Sequence, residues 1–186
     1  MMLAIHATAG NHAAPKSKRG HDVYLTPPCA VEAMLRVEPL PPVCWECCGD
    51  DTSAIATVLR AHGHSVVCSD IRADGIDFFD RTTAPRGVEA IVTNPPFSLA
   101  ADFVRHGLAL VPKVVVLERI QFLESKTRAP LFDAGKLARI WVFRNRVPRM
   151  HRQDWRGKRA SAAMTLAWFV FDRDHDGRPT LDWIRA

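Results

Sequence analysis

Residues 43–70 read VCWECCGDDTSAIATVLRAHGHSVVCSD, and four parts follow one another within them. Residues 43–46 are a short, mostly apolar run closed by an acid, Glu46, which predicts a buried strand. Residues 47–51 are a polar turn around Gly49. Residues 52–62 predict a helix, and residues 65–70 predict a second strand ending on Asp70. Strand, helix and strand joined by short turns imply a right-handed crossover and a parallel pair.

The same alternation extends in both directions. Downstream, residues 88–93 predict a strand, 100–110 a helix and 113–118 a strand, with further strands at 138–143 and 163–171. Upstream, Thr26 and Pro27 read as the N-cap and first residue of a short helix whose Val31, Met34 and Leu35 share one face. Pro39, Pro41 and Pro42 end it. The expected fold class is α/β, a mostly parallel sheet covered by helices on both faces. Residues 1–22 show no periodicity and predict a loose arm. Residues 23–186 predict one domain, since a chain of 186 residues with 47% hydrophobic content supplies one sizeable core.

Composition excludes several classes. Five cysteines are an odd number, and three crowd together as Cys44, Cys47 and Cys48, a poor disulfide framework that points to a reducing cytoplasm. The basic residues Lys16, Lys18 and Arg19 follow the mildly apolar start of the chain, the reverse of a secretory signal. No run approaches the ~20 apolar residues needed to cross a bilayer, so no membrane partner is expected. The net charge of +5 is unevenly spread. Residues 136–159 hold nine Lys or Arg against the single acid Asp154, leaving sixteen basic and nineteen acidic residues elsewhere. A cationic stripe on a slightly acidic body suits a polyanionic partner, although scattered solvated arginines would look the same.

In an open parallel sheet, ligands bind outside the carboxyl ends of the strands, and three predicted strands end on polar groups. Glu46 leads into Gly49, whose turn lets a backbone approach a ligand closely. Asp70, 21 residues beyond Gly49, is an acid at the spacing that suits ribose hydroxyls. An ordinary strand-to-helix turn and a capping residue are the plain alternatives for these two. The third end, Asn94-Pro95-Pro96-Phe97, is far more specific. Two prolines remove two amide donors and stiffen the turn, leaving the Asn94 side-chain oxygen and the Pro95 carbonyl as acceptors for the two hydrogens of an amino group. Phe97 can stack on a planar ring.

With those residues in view, the chain resembles the Rossmann-fold amino-methyltransferases that modify adenine N6 and cytosine N4, particularly the small phage and prophage adenine methylases. The resemblance runs from about Asp22 onward. Residues 22–27, with Tyr24, Thr26 and Pro27, resemble the motif around the cofactor's methionine end. Residues 45–50, with Glu46 and Gly49, resemble the acidic-glycine cofactor loop. Asp70 resembles the ribose-binding acid, Asp77 and Phe78 the pair beside the cofactor adenine, and residues 94–97 the catalytic motif. The resemblance implies a class I methyltransferase fold with a seven-stranded sheet carrying an antiparallel strand, S-adenosyl-L-methionine as cofactor, and no metal. It implies methyl transfer to adenine N6 in DNA, with DNA a better fit than RNA. It leaves an RNA adenine-N6 methyltransferase and a glutamine-amide protein methyltransferase as alternatives. Asp51 stands where a second glycine is common, which keeps a third alternative open, a degenerate nucleic-acid-binding subunit.

The basic segment then gains a role. Arg144, Arg146, Arg149, His151, Arg152, Trp155, Arg156, Lys158 and Arg159 are expected to line the rim beside Asn94 and hold a nucleic-acid backbone, with Met150, His151 or Trp155 near a base. No separate target-recognition domain is expected, since little chain remains after Phe171. Two patterns are set aside. Cys44, Cys47, Cys48, His62, His64 and Cys68 lack a second matched pair for zinc. Residues 172–177 begin like a calcium loop, but Trp183 occupies the position of the closing Glu, and a hairpin turn is the better expectation.

Overall fold

The first helix starts one residue later than the sequence predicts, for a reason that concerns the site. In the computed structural model, which describes residues 24–145, 147 and 165–186, α1 spans Pro28–Leu35 with Pro27 as its N-cap and no side-chain cap bond. Thr26 does not cap it; its Oγ1 accepts a hydrogen bond from Asn94 Nδ2 at 3.0 Å. Helix α2 (Ala54–Ala61) likewise begins later than expected, because Ser53 is the cap and accepts from the Ala56 N–H at 3.0 Å. Thr52 is occupied elsewhere, donating to Asp50 at 2.6 Å.

The strands are β1 (Val43–Glu46), β2 (Ser65–Cys68), β3 (Ala90–Thr93), β4 (Lys113–Arg119), β5 (Leu137–Phe143), β6 (Leu166–Asp172) and β7 (Thr180–Ile184), with α3 (Ala100–Leu110) and the short α4 (Ala129–Asp133) between them. Single 3₁₀ turns occupy Phe78–Asp80 and Ile120–Leu123. The sheet order is β2-β1-β3-β4-β6-β5-β7. Neighbours pair in parallel except at β6, which is antiparallel to both β4 and β5. This is the α/β, mostly parallel seven-stranded sheet with one antiparallel strand that the sequence suggests.

Two expectations are corrected. Strand β2 stops at Cys68, so Asp70 lies in the turn beyond the strand. Residues 172–177 do not turn a hairpin: the chain leaves β6 and passes β5 to reach β7, which pairs with β5 in parallel. Sequence reading misses β7 because four of its five residues are exposed, so no apolar run marks it.

The sheet is apolar on both faces, as parallel sheets are. In β4, Val115 and Leu117 face α1 and α2 together with Met34, Leu59 and Trp168. Val114 and Val116 face α3 with Phe103, Val104 and Phe169. Gly107 sets how closely α3 lies, since a Cβ there would come within 2.9 Å of Val114 Cγ2. Because β1, β3, β4, β5 and β7 run in one direction, Glu46, Asn94, Arg119, Arg144 and Arg185 all emerge at one rim. Among the described residues, no helix is long and apolar enough to cross a membrane.

Candidate active site

The rim carries a cleft in two lobes that meet at Cys48, Arg72 and Asn94. Tyr24, Thr26, Pro27, Glu46 and Gly49 line one lobe, while Asp70, Asp77 and Phe78 line the other. All eight residues expected to hold a cofactor are thus brought to one cleft. The sequence reading missed Ile71, Arg72, Phe79 and Phe103, which also line it.

The first lobe is built around a buried carboxyl. Glu46 is 2% exposed, and its Oε1 accepts from Thr93 Oγ1 at 2.6 Å and from the Cys48 N–H at 3.0 Å. Burial raises its pKa to about 7 against the pull of those two donors. Gly49 is required by packing, since a Cβ would stand 2.8 Å from Ser53 Cβ and 3.0 Å from Glu46 Cγ. Asp51, the residue in the place of a second glycine, is exposed, lines neither lobe and pairs with Arg60. Among the described residues only Ser125 and certain glycines have positive φ, so the backbone at Asp51 does not call for glycine. That removes the ground on which a degenerate loop was suspected.

The second lobe is aromatic. Phe78 is buried, stacks on Phe103 at 4.7 Å and meets Trp45 and Phe79 edge-on. Asp77 caps the 3₁₀ turn by accepting from the Phe79 N–H. Asp70 is held by Arg72 through three bonds: the N–H and Nε to Oδ1 at 2.7 and 2.9 Å, and Nη2 to Oδ2 at 2.7 Å. A carboxylate offers about four acceptor sites, so a ribose hydroxyl at Asp70 must share the carboxylate with Arg72. The Glu46 lobe is thus polar and acidic at its base, and the Phe78 lobe is walled by aromatic rings.

At the junction, Asn94 Nδ2 donates to the Tyr24 carbonyl at 2.8 Å and to Thr26 Oγ1. A carbonyl only accepts, so these bonds fix which end of the amide is nitrogen, leaving Oδ1 as the acceptor end. Pro95 is buried, and Pro96 accepts from the Leu99 N–H at 2.8 Å, pinning the turn to the start of α3. Phe97 is 9% exposed, its ring stacked on Tyr24 at 5.3 Å with the Arg119 guanidinium 4.5 Å from its centroid. Phe97 therefore braces Tyr24 as well as closing the motif.

Of the basic residues expected to hold a nucleic-acid backbone, Arg144 is at the same rim, its guanidinium 5.6 Å over the ring of Trp183. Arg146, Arg149, His151, Arg152, Trp155, Arg156, Lys158 and Arg159, together with Met150, lie outside the described residues.

No protein-family profile matches the sequence, and no curated protein is similar to it in sequence. Solved structures are similar in shape. A "putative RNA methyltransferase" from Pyrococcus horikoshii superimposes with a TM-score of 0.55 at 12% identity, over 87% of this chain and 90% of that one. The fold is that of a class I methyltransferase. Weaker overlaps are with a 23S rRNA methyltransferase, ErmE (TM-score 0.43, 12% identity, 83% and 73% coverage), and a release-factor-specific protein-(glutamine-N5) methyltransferase from Alicyclobacillus acidocaldarius (0.35, 20%, 77% and 87%). The expectation of adenine-N6 methylation in DNA is corrected here. The structure with a TM-score above 0.5 is described as a "putative RNA methyltransferase", not as a DNA adenine methylase.

Proposed function

We propose that this class I fold is a methyltransferase that uses S-adenosyl-L-methionine to methylate the exocyclic N6 amino group of adenine in RNA. The observation that carries the reading is the Asn94 amide, oriented by Tyr24 and Thr26 where the two lobes meet. A fixed acceptor oxygen next to a proline carbonyl suits an amino group, whose two hydrogens need two acceptors. RNA is supported by the likeness to the Pyrococcus protein and by the excess of Lys and Arg in residues 136–159.

When bound, the cofactor supplies a methyl group activated by a sulfonium. Glu46, as carboxylate, holds its ammonium in the first lobe, and Asp70 and Asp77 hold the ribose and adenine side against Phe78. The Asn94 oxygen and the Pro95 carbonyl accept from the substrate amino group, keeping its lone pair available for methylation, and the proton that the methylated nitrogen sheds passes to water. The rigid turn keeps those acceptors fixed through the transition state, where preorganisation is most useful.

Incubation with labelled cofactor and RNA, and in parallel with a glutamine-bearing protein, tests the reading. N6-methyladenosine is the expected product by nucleoside mass spectrometry, and Asn94→Ala should lower transfer by about 10²–10³-fold, far more than it weakens cofactor binding. Methylglutamine in place of methyladenosine, or undiminished turnover in the variant, overturns it.

A further inference from the structure

Arginines at the cleft and through the fold are mostly committed. Arg72 grips Asp70, Arg60 grips Asp51, Arg139 grips Glu38, and Arg128 donates to the carbonyls of Phe122, Gln121 and Glu124. Arg119 is different. It is the last residue of β4, exposed at the rim, and among the described residues its guanidinium makes no hydrogen bond or ion pair. Its contact is the ring of Phe97, 4.5 Å from Cζ to centroid. Phe97 shares its turn with Asn94, and neither Phe97 nor Arg119 lines the cofactor cleft. The pair therefore stands on the part of the rim that the cofactor leaves open.

We infer that Arg119 occupies the place of the substrate ring, and that the incoming base slides between Phe97 and the guanidinium, with Arg119 becoming its outer stacking partner. The inference rests on the RNA-adenine reading above. A ring needs about 3.5 Å of clearance on each face, so the guanidinium must withdraw by roughly one ring thickness. An exposed cation–π contact is a weak one, with no hydrogen bond or ion pair among the described residues to break besides it. Displacement is therefore cheap, and the planar cation regains a π face once the base is in. Until then it covers an aromatic surface that would otherwise face water beside the catalytic turn. The stack also selects substrate: a purine offers a broad π face to both partners, whereas a glutamine amide offers a small one. Arg119 is on this view a positioning residue for the base, acting by its plane as well as its charge.

The test is steady-state kinetics on RNA with Arg119→Ala and Arg119→Lys, together with cofactor titration and thermal melting of each variant. The expected result is a rise in KM for RNA of about tenfold in both variants, with kcat changed less, and cofactor Kd and Tm as in the unaltered protein. Lysine should fail to rescue, because it keeps the charge and loses the plane. Full rescue by lysine overturns the stacking role in favour of a plain charge, and unchanged KM in both variants overturns any role for Arg119 in substrate binding. An unaltered protein that methylates no RNA overturns this inference and the proposed function together, so the two failures are told apart.

Discussion

Glu46 shows how much a single buried group can reveal. Its carboxyl is pushed up to about 7 from an ordinary 4.5 by burial, more than the Thr93 and Cys48 donors can offset. A carboxyl whose folded pKa is raised binds its proton more tightly in the folded state. Stability is therefore greatest below about pH 4.5 for this group and falls as pH climbs through about 7. Glu46→Gln should abolish that slope and make the protein more stable at pH 8 by a few kcal/mol, read from urea midpoints at pH 5.5 and 8. Cofactor binding should show the opposite trend. An ammonium beside Glu46 favours the ionised form, so affinity should rise several-fold between about pH 6 and 8 and be flat in Glu46→Gln, as calorimetry would report. Glu46, Asp70 and Asn94 were legible as polar residues ending apolar runs. Arg119 was not, because a basic residue at the end of a strand reads as ordinary surface, and only the fold places it over Phe97.

The two helix starts near the cleft look alike in sequence and behave differently. Ser53 caps α2, whereas Thr26, which precedes Pro27 and Pro28, is diverted to Asn94. Ser53→Ala should cost about 1 kcal/mol, a fall in Tm of roughly 2–4 °C for a chain of this size. Thr26→Val keeps the shape, leaves the α1 start untouched, and removes one of the two bonds that orient the Asn94 amide. It should lower kcat by about tenfold while barely moving Tm. Melting curves and turnover measured side by side would separate the two roles. Element type was readable from period and length, and boundaries were not. A Ser, Thr or Asp near a helix start can cap it or serve a neighbour, and that choice is made in three dimensions.

Across the molecule, the end of the sheet remote from the cleft is tied by Glu38, 1% exposed and just past α1. Its oxygens accept from Arg139 Nε and Nη2 at 2.7 and 2.8 Å, Trp141 Nε1 at 3.0 Å and Lys113 Nζ at 3.1 Å, joining the α1 end to β4 and β5. Burial alone would raise its pKa, but Arg139, Trp141 and Lys113 outweigh burial and lower it. That stabilisation is present above the unfolded carboxyl pKa and is lost as pH falls through the folded value. Breaking a buried ionic cluster typically costs about 3–5 kcal/mol, so Glu38→Ala should drop Tm by roughly 10 °C without changing cofactor affinity per folded molecule. The parallel half of the sheet was visible as strand–helix alternation, because local turns connect it. Strand β7 and its crossing past β5 were invisible, since pairing at long range leaves no local pattern. The antiparallel strand between β4 and β5 also dictates an order of assembly. During synthesis β1 to β4 can associate as they emerge, but β4 and β5 reach their final relation only when residues 166–172 arrive to fill the gap. Until then both strands carry open edges able to pair with another chain, so the nascent protein is most open to misassociation after β5 emerges and before residues 166–172 clear the ribosome.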